Sequence, residues 1–315
     1  MKITHINPGC GIPIPPPSWG AIEKIIWEFT CNLQQLGHEV DIRWCNEIQQ
    51  GEYDIVIVHV ANLALELAGR GIPYIFQHHD HHAFHYGKDS FVYKQNKEAI
   101  EKSIFSLVPA RYLVDYFESS NAYYFSHGVN VHSFYPNETY PSEHNLLMLA
   151  NNGLGGYGAY DRKGFGLGVQ LAMSYNLPIT IAGPKNNENW LNDNPWVKGY
   201  PELTMIWEPL NENLRDLYTS HTIFLHPSEL EAGHPNLTLL EAAACGLPIL
   251  GCIEMETTFH GLYRVSRDLK EMIHGLDQII NNYIDYRYSS LNTAQKLSWL
   301  NRSKELIQLY ERHIN

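Results

Sequence analysis

Basic residues are scarce in this 315-residue sequence: 22 Lys and Arg stand against 34 Asp and Glu, a formal charge of −12. Residues 1–143 carry 9 against 16 and the remainder 13 against 18, so neither half offers the basic field that a phosphate backbone requires. A nucleic-acid partner is therefore disfavoured, and any membrane association is expected to be at most peripheral. Cysteine is also rare. The five thiols (Cys10, Cys31, Cys45, Cys245 and Cys252) include no Cys-x-x-Cys pair and are odd in number, which argues for reduced residues of an intracellular protein. No apolar run approaches membrane length, and Met1-Lys2-Ile3-Thr4-His5-Ile6 reads as a first strand instead of a signal peptide. A cytoplasmic location is expected. Low-complexity tracts are absent, and no short-period repeat is evident.

What remains is an alternation of buried strands and amphipathic helices, the pattern of parallel sheets made from βαβ units. Ile3–Ile6 precedes a Pro-rich loop and a helix over about Ala21–Leu36, and the strands Val40–Trp44, Ile55–Val60, Tyr74–Gln77 and Ser106–Val108 follow. A polar stretch, Tyr135–His144, breaks the pattern. It restarts at Leu146–Ala150 and continues through Ile179–Gly183, Thr204–Trp207, Ile223–His226 and Pro248–Cys252. The expected fold is α/β, with two Rossmann-like domains, 1–143 and 144–315, facing a central cleft at the carboxyl ends of their strands. The helices of Leu269–Ile314 are expected to include one that packs back across the first domain.

The segment from Phe224 to Ile249 carries the most chemistry. It reads as a buried strand, a loop with Pro227, Ser228 and Gly233, a Leu/Ala helix holding Glu241, then Gly246-Leu247-Pro248 and another strand. A helix that begins at such a loop turns its free N–H groups and the positive end of its dipole toward the loop. The amides from His234 to Thr238, including Asn236 and Leu237, are the expected anion site, and Pro235 suits a helix start because it has no N–H. Glu231 and Glu241 add acceptors for hydroxyl groups. A ligand that is anionic at one end and hydroxyl-rich at the other fits this set, which describes a sugar nucleotide.

The segment resembles the donor-site signature of the family-4 retaining glycosyltransferases, in which Pro-Ser, Glu, Gly, a second Glu, Ala and Gly-x-Pro occur in this order. The spacing from Glu231 to Glu241 is longer than the family's usual one. The resemblance extends along most of the chain. Trp19-Gly20-Ala21-Ile22-Glu23 is similar to the family's Gly-Gly loop, with Ala21 for the second Gly, and Gly37-His38-Glu39-Val40 and His127-Gly128-Val129-Asn130 match further motifs. Asp161-Arg162-Lys163-Gly164-Phe165 matches the Lys-Gly loop, and Ile181-Ala182-Gly183-Pro184 the Gly-x-Pro strand end. Where the family has Gly-Arg, this sequence reads Asn151-Asn152, and Arg162 is placed to compensate for the missing cation.

The resemblance implies the GT-B architecture and transfer of a sugar from a nucleotide-diphosphate sugar to a hydroxyl acceptor, with retention at the anomeric carbon. It gives Glu241 the ribose hydroxyls, Glu231 the donor sugar, and Lys163 with Arg162 the diphosphate. His79-Asp80 matches a His-Asp pair whose His lies beside the donor sugar. His79, Glu231 and Lys163 are therefore the expected catalytic group, and Gly20, Gly183, His234, Asn236, Leu237 and Thr238 complete the donor site. Trp19, His78 and Asp80 are candidates for the acceptor side. The histidine run His78–His85 has ligand types for Zn²⁺ or Fe²⁺, but adjacent side chains rarely converge on one ion. No metal is expected, and no cofactor beyond the donor. Alternatives are a sugar-nucleotide epimerase, a glycosidic phosphorylase, and a degenerate GT-B protein that binds sugar nucleotide or partners without turnover.

Overall fold

The computed structural model describes residues 1–18, 20–151, 161–253 and 259–314, so Trp19 and Asn152 lie outside the described residues. Two six-stranded sheets, parallel in every pairing, form its frame. The first contains β1 (Lys2–Ile6), β2 (Glu39–Arg43), β3 (Ile55–Val58), β4 (Ile75–Gln77), β5 (Ser106–Val108) and β6 (Ala122–Tyr124), in the order β2-β1-β3-β4-β5-β6. Helices α1 (Ala21–Gln35), α2 (Ala61–Gly69), α3 (His82–Tyr86), α4 (Phe91–Lys102) and α5 (Arg111–Phe117) lie between its strands. The second contains β7 (Leu146–Leu149), β8 (Ile179–Gly183), β9 (Leu203–Trp207), β10 (Ile223–His226), β11 (Ile249–Gly251) and β12 (Leu262–Arg264), in the order β9-β8-β7-β10-β11-β12. Its helices are α6 (Phe165–Tyr175), α7 (Glu188–Asp193), α8 (Leu214–Thr219) and α9 (Leu237–Ala244).

Strands covered by helices on both faces need apolar residues at every position rather than at alternate ones. Ile55-Val56-Ile57-Val58 and Leu146-Leu147-Met148-Leu149 are buried throughout, as that rule requires. The strand order reverses between β1 and β3 in one sheet and between β7 and β10 in the other. The crevice beyond the carboxyl ends at such a reversal is where open α/β sheets hold ligands.

Three helices complete the chain: α10 (Leu269–Asn281), α11 (Tyr283–Lys296) and α12 (Trp299–Ile314). The first two stay with the second sheet. Met272, Leu276 and Ile279 of α10 join a core with Leu146 and Leu250, and α11 lies against α9. In contrast, α12 returns to the first sheet, where Trp299, Leu306 and Tyr310 share a core with Ile3, Ile25 and Phe29. The Trp299 indole meets Phe29 edge-on, with ring centroids 5.0 Å apart. Gly128 makes this possible, because a Cβ there would lie 2.7 Å from Trp299 Cδ2. Among the described residues no helix is long and apolar enough to cross a membrane, and all five cysteines are free.

Candidate active site

The loop between β10 and α9 is fixed by one side chain. Asn236 Oδ1 accepts the Leu239 N–H at 3.1 Å and the Thr238 hydroxyl at 3.1 Å, while its Nδ2 donates to His226 Nε2 at 2.9 Å. The residue thus starts the helix, as an N-cap does, and ties it to the end of β10. The His234 N–H donates to the Pro109 carbonyl at 2.9 Å, so that amide serves the contact between the two halves. Tyr124 adds to the contact by donating to the His234 carbonyl at 2.6 Å, as does Tyr112 to the Glu231 carbonyl at 2.8 Å. From the expected His234–Thr238 set, Leu237 and Thr238 are the residues that line a cleft at the helix start.

Glu231 is buried amid cations. Lys163 Nζ donates directly to its Oε1, the Ser228 hydroxyl donates to the same oxygen at 2.5 Å, and Arg162 Nη1 lies 3.7 Å away. Burial alone would raise this carboxyl, but the charges of Lys163, His226 and Arg162 outweigh it and hold it far below the usual carboxylate range. Burial likewise pulls the Lys163 ammonium down, against the pull of Glu231. Arg162 is also anchored by donation to the Leu230 carbonyl. His81, from the loop after β4, sits near the same cluster; burial, and then the Arg162 charge, push its imidazole down to about 4.

Glu241 anchors the neighbouring cleft. Its Oε2 accepts the Tyr218 hydroxyl at 3.0 Å and its Oε1 lies 2.5 Å from Lys24 Nζ, which reaches across from α1 of the first half. The cleft encloses about 510 Å³ of solvent-connected space. Ser18, Gly20, Ala21 and Lys24 form one wall; Leu149, Pro209, Asn211 and Leu214 form another, with Leu237, Thr238 and Glu241 at the helix start. Gly20 has φ 137°, and a Cβ there would meet Pro16 at 2.9 Å, so the loop entering α1 requires glycine. The walls are bridged again by Asn211, whose N–H donates to Pro17 O at 2.9 Å and whose Nδ2 donates to Pro16 O at 2.8 Å. Lys24 and Asn211 also line a second hollow, where Trp27, Glu28 and Arg215 join them.

The histidine run spreads apart, its members meeting different partners instead of converging on one point. His78 is 1% exposed, packs edge-on against Phe117 and lies 3.2 Å from Asn96 Oδ1, inside the first half. His79 lies against His59 and His127, and Asp80 accepts the His82 N–H at 2.8 Å. Among the described residues, no group of three or more His, Cys, Asp or Glu is placed to hold a metal ion. Gly183 serves packing: a Cβ would collide with the Ala150 carbonyl and the Asn187 amide, which are themselves joined at 2.9 Å. Sequence reasoning gave no donor-site role to Lys24, Ser228, Tyr218, His226 or His81, although Ser228 and His81 lie within the motifs it singled out. Lys24, Tyr218 and His81 reach the site through contacts between distant parts of the chain, whereas Ser228 lies three residues from Glu231.

Two parallel sheets, each reversing its strand order, with a cleft between them and a last helix returning to the first, define the GT-B glycosyltransferase fold. Solved structures of that fold match the whole chain. The Thermosynechococcus elongatus sucrose-phosphate synthase superposes with a TM-score of 0.75 at 14% identity, over 99% of this chain and 98% of that one. For Anabaena HepE in complex with UDP-glucose the TM-score is 0.72 at 11% identity, over 99% and 100%. AviGT4, a glycosyltransferase involved in avilamycin A biosynthesis, gives 0.71 at 16%, over 99% and 97%. By sequence, no family model and no curated protein matches.

Proposed function

We propose that this protein transfers a sugar from a nucleotide-diphosphate sugar to a hydroxyl acceptor, with retention of anomeric configuration. The observation that carries the proposal is the convergence at the β7/β10 reversal of the α9 start, the Glu241 carboxylate and the Lys163–Arg162–Glu231 cluster. Glu241 accepts the ribose hydroxyls, the first amides of α9 with Lys163 and Arg162 hold the diphosphate, and Glu231 faces the donor sugar with His79 nearby. Residues 144–315 form the donor side and residues 1–143 the acceptor side, where Asp80 is a candidate contact; Trp19, the other candidate from the sequence, lies outside the described residues. HepE has been solved with UDP and with UDP-glucose, which makes UDP sugars the first donors to try. Retention follows from the likeness of the Glu231–Glu241 segment to the family-4 signature.

Positive charge for the departing diphosphate is supplied by the helix start and by Lys163, so turnover is expected to survive EDTA. The test is thermal stabilisation by UDP, GDP, ADP and TDP and their sugar conjugates, each with and without EDTA. A ligand that binds only the native state stabilises it by RT ln(1 + L/Kd), where L is the free ligand concentration, and so raises the melting temperature as that concentration rises above Kd. A shift with one base, persisting in EDTA, supports the site and names the donor class. No shift with any nucleotide would sink it, and binding without turnover across a broad acceptor panel would make the protein a sugar-nucleotide binder.

A further inference from the structure

Four histidines form a file through the first half: His5 in β1, His59 just after β3, His79 just after β4, and His127. His5 Nδ1 lies 3.0 Å from His59 Nε2, and His59 Nδ1 lies 2.9 Å from His79 Nε2. Neighbouring rings are stacked, with centroids 5.3, 5.2 and 6.5 Å apart along the file. Gly233, in the loop before α9, closes it: a Cβ there would lie 2.7 Å from His127 Cδ2.

A neutral imidazole has one N–H and one lone pair. Two hydrogen bonds in series through His59 therefore allow only two arrangements: His5, His59 and His79 all protonated at Nδ1, or all at Nε2. Any mixture would give His59 no proton or two. Burial excludes a doubly protonated ring near neutral pH, holding His59 and His79 well below the ordinary imidazole range and His5 down to about 3. The ends of the file decide between the two arrangements. Among the described residues, His5 Nε2 and His79 Nδ1 are both buried without a hydrogen-bond partner. At the inner end the His5 ring lies against Phe29, and a proton on Nε2 would be an orphan donor, the costlier defect. At the outer end, beyond β4 and beside the first sheet's strand reversal, a ligand can accept it.

We propose that His5 and His59 are positioning residues that lock His79 in its Nδ1–H tautomer, reserving that N–H for an oxygen of the bound sugar donor. The choice of tautomer and the ligand's role both rest on the nucleotide-sugar reading of the cleft, since an N–H on His79 Nδ1 is the cheaper end only where a ligand oxygen accepts it; the two hydrogen bonds in series do not.

The experiment is a long-range proton–nitrogen correlation spectrum of the full chain labelled with ¹⁵N-histidine, with the rings assigned through the backbone of the native protein. All three histidines are expected as Nδ1–H; a neutral Nε2–H form of any of them overturns the proposal. His59→Phe, which keeps a ring but no hydrogen bonds, is expected to release His79 to the other tautomer and raise the donor's KM about tenfold. His59→Gln, whose amide accepts from His5 and donates to His79, is expected to restore both. Retention of the Nδ1–H form in the Phe variant overturns the locking role. Locked tautomers in a protein that no nucleotide stabilises would instead count against the cleft, leaving the file intact.

Discussion

At the scale of single residues, the Lys163–Glu231 pair makes opposite demands on stability and binding. Removing one member of a buried ion pair leaves an uncompensated charge, at a cost of about 3–5 kcal/mol. Lys163→Ala is therefore expected to lower the urea midpoint strongly as well as abolish donor turnover, whereas Lys163→Met with Glu231→Leu should recover much of the stability but none of the activity. Glu241→Ala removes a charged acceptor and is expected to weaken nucleotide binding roughly ten- to hundredfold by calorimetry. An unchanged dissociation constant would show that the ribose lies elsewhere. Acid should unfold the protein early. Burial is the first cause that lowers His81, His127 and His226 from 6.5 to about 4. Between those values the unfolded state binds more protons, so stability falls with falling pH by about 1.4 kcal/mol per unit for each histidine. Glu231 acts later: its depressed carboxyl stabilises the fold above the ordinary carboxylate range, and that contribution is lost as pH drops toward its folded value. Urea midpoints taken in steps from neutral to acid would reveal this slope; a flat profile above the carboxylate range would contradict the burial of neutral imidazoles.

At the scale of elements, α9 depends on Asn236 for two different bonds. An aspartate normally caps a helix as well as an asparagine does. Here a carboxylate in place of the Asn236 amide cannot donate to His226 Nε2, and it would add a charge near Glu231. Asn236→Asp is thus expected to destabilise the fold at least as much as Asn236→Ala, by about 1 kcal/mol or more in a urea titration; full stability of the Asp variant would remove His226 from the account. The elements legible in the sequence were those with wholly apolar strands, since a run such as Ile55–Val58 has no other place to go. Strand ends were less legible: Ile55–Val60 was expected, but the strand stops at Val58 and His59 joins the histidine file. β6 (Ala122–Tyr124) and β12 (Leu262–Arg264) escaped notice because each has three residues and only partial burial. In the site, motif residues clustered within a loop were readable. Lys24 was not, for its partner Glu241 is 217 residues away and no local pattern announces a contact of that range.

At the scale of the molecule, the two halves are joined both at the cleft and through α12. Trp299→Ala should cost about 3–5 kcal/mol, as expected for a large buried aromatic, and its effect should fall on the first sheet. Amide exchange would show this directly, with protection lost in β1 and α1 before β7 and β10; equal loss in both sheets would mean that the halves unfold as one. The shared core of Ile3, Phe29, Trp299 and Tyr310 also bears on synthesis. Domains commonly fold in order as they leave the ribosome, but the first sheet here lacks part of its packing until residue 310 has been made. The first sheet must wait, incompletely covered, for a helix made about three hundred residues later, and until then the nascent chain exposes that apolar surface to chaperones.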